Sequence, residues 1–180
     1  MPIVEADILF KMSTTGGTAG NSQAQANANQ SLGKFISTST VTSGSLNNLY
    51  DNISGAENAA SVSDYRCIFV HNSHPTLTLQ AAVAWISAEV PGGADCFIGA
   101  DPAVASPIGQ ASSQAAVIGD ELSVPAGVTF SRPTTKFSGI TLGDIPPGQC
   151  KAVWVKRSAT NSTALSNDGM TIRVEGDTAA

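Results

Sequence analysis

The feature that most limits what this chain can become is a series of short apolar and β-branched runs set apart by glycine and proline. "YRCIFVHN" (65–72) is almost wholly apolar or β-favouring, which predicts a strand buried on both faces. "QAAVAWIS" (80–87) reads as its partner across the turn residues Asn72, Ser73 and Pro75. "DCFIGAD" (95–101) follows a Pro91-Gly92-Gly93 turn, and "GVTF" (127–130) reads as a short strand. "GITLGDIPPGQCKAVWVKRS" (139–158) gives a strand, a Pro-Pro-Gly corner and a long strand, and "MTIRVEG" (170–176) alternates strictly. No segment carries the spacing of an amphipathic helix of ordinary length. Strands and turns in this order predict an all-β chain, an antiparallel β-sandwich.

The N-terminal part reads differently. In "DILFKMS" (7–13), Ile8, Phe10 and Met12 fall on one side of a short strand. The next twenty residues, "TTGGTAGNSQAQANANQSLG" (14–33), hold almost no large apolar side chain, so they bury too little surface to offset chain entropy by themselves. They are expected to be either a mobile linker or an extended arm ordered by another subunit. "KFISTSTV" (34–41) resumes a β-branched pattern. This divides the chain into an N-terminal arm with first strands (1–41) and a sandwich domain (42–180). Within the loop 42–64, Leu46, Leu49, Tyr50 and Ile53 are expected to cap one end of the core, with a single helical turn among them.

Residues 67–86 pose the one question of chemistry. Cys67, His71 and His74 are ligand types, and the chain has only two histidines. Cys67 and His71 share a strand face but lie roughly 13 Å apart at ~3.3 Å per residue, too far for one ion. Zinc needs four converging N or S ligands, and no second cluster exists to complete the set. The stretch therefore reads as a bend, with Cys67 in the core and both histidines in the loop. No G-x-S-x-G, H-E-x-x-H, P-loop or G-x-G-x-x-G pattern is present. Asp95, Asp101, Asp120, Glu121 and Asp144 sit in or beside turns and read as solvated turn residues. No metal, cofactor or enzymatic activity is expected.

Charge narrows the partners. Charged residues are 13% of the chain and the net charge is −5, with nine scattered Lys and Arg. That argues against nucleic acid, which needs clustered cations. A neutral coat of Ser, Thr, Asn, Gln and Gly suits a protein covered by neighbours. Met1-Pro2-Ile3-Val4-Glu5 lacks the regions of a signal peptide, and no run approaches the ~18 apolar residues of a membrane span. No membrane partner is expected, and Cys67, Cys96 and Cys150 are expected as buried thiols.

Two resemblances bear on these residues. "IFVHNSHPTLTLQAAVAWIS" with "ITLGDIPPGQCKAVWVKRS" resembles the pattern of immunoglobulin-like sandwich modules of the CARDB type, over roughly 65–158. Immunoglobulin domains pack a tryptophan on a bridging cysteine pair, and here Cys67, Trp85 and Cys150 fall at comparable places with Cys96 left over. Both a Cys67–Cys150 bond and separate packed thiols remain open, and the sandwich is Ig-like or jelly-roll. Over nearly the whole chain, "DILFKMS", "SLGKFISTSTV", "NLYDNISGAE", "YRCIFVHN", "LGDIPPGQCKAVWVKR" and "RVEGDTAA" resemble small virion structural proteins of tailed bacteriophages. That resemblance implies a sandwich with an extended arm, repeated on a particle assembled in the host cytoplasm. The expected function is capsid decoration, or cement, binding the major capsid protein lattice, other virion proteins and copies of itself. A place in the neck, tail or a fibre is the alternative, and a glycan-binding adhesive module, with Tyr50 as its loop aromatic, ranks below both. The expected contact residues are Ile8, Phe10, Met12, Leu32, Phe35 and Ile36, unless these form the first strands of the sandwich itself.

Overall fold

A computed structural model describes residues 2–178. Nine strands follow in order: β1 (Ile8–Thr14), β2 (Phe35–Thr40), β3 (Ser63–Asn72), β4 (Leu79–Glu89), β5 (Asp95–Ala100), β6 (Ser106–Pro107), β7 (Ile140–Ile145), β8 (Gln149–Ser158) and β9 (Met170–Asp177). They form two antiparallel sheets in a sandwich, one ordered β2-β1-β3-β8-β5 with β6 beside β8, the other β7-β4-β9. The all-β class expected from the strand and turn pattern is the one the chain adopts.

β3 and β8 are central to the larger sheet, paired from Ser63↔Ser158 to His71↔Cys150. Both are buried along almost their whole length because both of their faces are covered. Between the sheets, Ile68 and Val70 of β3, Ile98 of β5, and Val153 and Val155 of β8 meet Ala84 and Ile86 of β4 and Leu142 and Ile145 of β7. On the opposite face of the larger sheet, Cys67, Phe69, Cys150 and Trp154 form a second core with Leu32, Ile36, Ala115 and Ile118. That second core is roofed by irregular chain, so the molecule has three layers: small sheet, large sheet and a cover of loops.

Three expectations are corrected. β4 does not pair with β3; it crosses into the other sheet between β7 and β9. Asn72 fixes that corner, its side-chain amide donating to the carbonyls of Leu77 and Ile145 at 2.8 Å each. Residues 127–130 are not a strand. Gly127 takes a positive φ of 74°, Val128 and Thr129 pack against Gly99 of β5, and the ladder contact comes only just beyond, at the Ile98–Ser131 bridge. The helical turn lies further on, at α1 (Gly55–Ala60), where Ser54 and Glu57 cap each other's backbone N–H groups; Leu49 joins the core, but Leu46 is exposed.

The boundary at 41/42 does not separate two bodies either. β1 lies between β2 and β3, so the sheet runs straight across it; Met1 and residues 179–180, at the outer ends of those ranges, lie outside the described residues. Residues 14–34 are ordered by their own chain. Lys34 N–H donates to Ala116 at 3.2 Å, and Ile118 N–H donates to Leu32 at 3.2 Å. Ser31 accepts at its carbonyl from Cys67 N–H at 2.7 Å and donates its hydroxyl to the Cys67 carbonyl at 2.6 Å. Small residues are what permit this close approach. A side chain at Gly33, whose φ is +93°, would overlap the Ala116 carbonyl.

Candidate functional site

The expected contact residues lie within the sandwich. Leu32, Phe35 and Ile36 are buried, Ile36 completely. Ile8 and Phe10 pack against the core between the sheets, and Met12, like them, is half-buried in a strand enclosed by β2 and β3. The reason is the pleat. Ile8, Phe10 and Met12 do share a face, and that face looks into the sandwich. The reading of these six as docking residues of an arm is thereby corrected in favour of the first strands of the sandwich.

The histidine stretch is the bend between β3 and β4. Nδ1 of His74 accepts from the backbone N–H of Thr76 at 3.2 Å and of Leu77 at 2.9 Å, so this ring closes the turn. His71 is buried in β3 rather than in the loop, and neither of its ring nitrogens has a hydrogen-bond partner. Among the described residues, no group of three or more His, Cys, Asp or Glu is placed to hold a metal ion.

The three cysteines are free and buried. Cys67 stands opposite Trp154 and Cys150 opposite His71, four ladder positions away and so roughly 13 Å along the same sheet. A bond between them is out of reach. Burial pushes Cys96 and Cys150 up to about 12, and pushes Cys67 well above its ordinary value. The thiolate, which is the nucleophilic form, is therefore suppressed at each position.

No local pattern in the sequence marks the polar network that holds the loop cover in place. Asp101, buried at the end of β5, accepts at Oδ1 from Ala103 N–H at 2.9 Å. Its Oδ2 accepts from Ala116 N–H and from the indole N–H of Trp154, each at 2.8 Å. Lys151 Nζ donates to the carbonyls of Asp101, at 2.6 Å, and Ala103. Gln114 completes it, accepting at Oε1 from Ile36 N–H at 3.0 Å and donating from Nε2 to the Pro107 carbonyl at 2.8 Å. Read as a solvated turn residue, Asp101 is instead an interior anchor, because its carboxylate is the common acceptor for two separated stretches of loop. Asp101 is also a recognisable case of a carboxylate closing a strand, but its acceptor role lies in contacts distant in sequence.

This anchored excursion, 101–135, carries an unusual surface. Val104, Val117, Leu122 and Val124 are all exposed on it, Val104 to 81%. Phe137, on the 3-10 turn Lys136–Ser138 that follows, is exposed to 102%. Exposed apolar side chains on a pinned backbone are available to a partner without a change of fold. By contrast, a cleft of about 380 Å³ between residues 27–32 and 119–121 is lined mostly by polar residues, several of them already hydrogen-bonded to neighbouring chain. Arg66 beneath it binds Asn29 at 3.0 Å and Glu121, while Asp120 accepts from Leu122 N–H and the Ser123 hydroxyl. The loop aromatic Tyr50 is also occupied, its ring lying 4.5 Å from the Arg157 guanidinium and 5.2 Å from that of Arg66. Both tryptophans are buried.

Comparison with protein-family models, with curated proteins and with solved structures finds no match to this chain.

Proposed function

We propose that this chain is a non-enzymatic virion structural protein, a capsid decoration or cement protein that binds the lattice of the major capsid protein and stabilises the head. The observation that carries the reading is the exposed aliphatic set Val104, Val117, Leu122 and Val124, displayed on a loop cover fixed by Asp101, Lys151 and Gln114. The contact is thus assigned to the excursion over the larger sheet, in place of an N-terminal arm. A low content of charged residues, 13%, limits repulsion when copies pack side by side. Weak contacts repeated on a fixed lattice add up through avidity. The buried, protonated thiols support a binding role over catalysis.

The test is co-sedimentation of the purified protein with head shells assembled without it. The wild-type protein is expected to saturate at hundreds of copies per shell. Leu122→Asp with Val124→Asp is expected to abolish binding while leaving circular dichroism unchanged. Saturation at about five to twelve copies on intact particles would instead assign the chain to the neck, tail or a fibre. Retained binding by the double variant would remove the excursion as the contact surface.

A further inference from the structure

Each sheet of the sandwich ends in two edge strands, and an uncovered edge is a template for pairing with another chain. Three of the four edges are closed or broken. β2 is covered by residues 21–25, with Asn21 N–H donating to Ile36 at 2.6 Å and Thr38 N–H to Gln23 at 3.0 Å. β5 exchanges hydrogen bonds with Ser131 in both directions, at 2.8 and 3.0 Å. β7 is bent by register shifts against β4, carries Gly143 at a φ of +77°, and runs directly into Pro146-Pro147.

β9 has none of these protections. It is eight residues long, contains no proline, and pairs only with β4. The irregularities in that pairing fall on β4, which supplies the extra residue each time. Among the described residues, no backbone group pairs with its outer edge. Its inward side chains Met170, Ile172 and Val174 are only partly buried against the core.

The outward face identifies the occupant. Thr171, Arg173, Glu175 and Asp177 alternate along it, all exposed. Arg66, Arg132 and Arg157 each have a carboxylate partner; among the described residues, Arg173 has none. If two copies of β9 lie antiparallel about a two-fold axis through Val174, Arg173 stands opposite Glu175 of the partner subunit, and Glu175 opposite the partner's Arg173. The strand is thus complementary in charge to itself about that axis, whereas moving the axis to Arg173 or to Glu175 sets that residue against its own copy, like charge on like. Glu175 already meets Lys136 at 2.6 Å, but both groups are about half exposed and the carboxylate has room for a second cation.

We propose that β9 is a self-association edge, through which a second copy of this chain adds its own β9 to make one continuous sheet of six strands, β7-β4-β9 and its two-fold mate. The pairing satisfies the open backbone groups and shields Ile172 and Val174 at the rim of the core. It does not depend on the virion reading: shell binding tests the excursion, and self-association tests β9, so either can fail alone.

Sedimentation velocity from micromolar to millimolar concentration, at low salt, is the experiment. The wild-type protein is expected to pass from monomer to dimer, with β9 amides gaining protection from hydrogen exchange as the dimer fills. Arg173→Glu and Glu175→Arg each set like charges opposite one another twice per dimer, and each is expected to weaken association by about tenfold or more. The double variant R173E/E175R restores the match and is expected to return to near wild-type association. Both positions are exposed, so each variant is expected to keep the wild-type melting temperature within a few degrees. A wild-type protein that stays monomeric throughout, including one whose β9 edge takes a strand from a different protein, would overturn the proposal. So would a dimer unaffected by either single variant, or single-variant losses that the double variant does not recover.

Discussion

His71 shows how much one buried residue can say about conditions. Its imidazole lies in β3 opposite Leu9 of β1 and Cys150 of β8, with no partner for either nitrogen. Burial first, and then the nearby Lys11 ammonium, hold its pKa below the ordinary value. The unfolded chain takes up this proton near pH 6.5, as a free histidine does, whereas the folded chain resists. Stability from this site is therefore complete above about pH 6.5 and is lost as pH falls from there through the depressed folded value. Denaturant midpoints measured between pH 7.5 and 5 are expected to fall for the wild-type protein, and His71→Leu is expected to flatten that part of the curve. An equal slope in the two proteins would assign the acid sensitivity elsewhere.

At the scale of elements, the segment 14–34 holds the main lesson about reading the sequence. Its lack of large apolar side chains does not by itself imply a missing partner. Small residues can also mark chain that must lie close against its own body, and Gly20 and Gly33 serve that purpose beside Gln114 and the Ala116 carbonyl. The partner stretch, 114–118, lies some eighty residues downstream, and nothing local in the sequence links the two. Strands were legible where alternation or a continuous apolar run was strong, as in β3, β8 and β9. The crossing of β4 into the other sheet is not legible locally, because turn residues look alike whether the chain doubles back in one sheet or crosses to another. Gly33→Ala is expected to cost about 1–3 kcal/mol through its positive φ and the overlap at Ala116. A broad-specificity protease is expected to spare residues 20–34 in the isolated wild-type protein and to cut there in this variant. Rapid cleavage of the wild-type segment would return it to the status of a loose arm.

For the whole molecule, the division at 41/42 was a reading of composition, and composition does not report which strands share a sheet. β1 covers the edge of β3 from Ile68 to Asn72, while Leu32 and Ile36 fill the second core around Trp154. Removing residues 1–41 strips both, and burial of large aliphatic side chains is worth about 1.5–3 kcal/mol each. A chain of 42–180 is expected to lack the near-ultraviolet circular dichroism and the dispersed amide spectrum of the full protein. A well-dispersed spectrum from that fragment would show that the sandwich stands without its first two strands. The candidate contact surface was legible only in part: low charge pointed to a covered exterior, but the exposed aliphatic residues became visible only once the Asp101 network had fixed which side of the excursion faces water.

The odd number of sequestered sulfur atoms has a practical consequence at the bench. Cys67, Cys96 and Cys150 are harmless while enclosed, yet a melted chain releases all three at once into solution. In air, such chains couple to one another and cannot retrace their path on cooling. Heating scans of this protein will be reversible, if at all, only in the presence of a reductant.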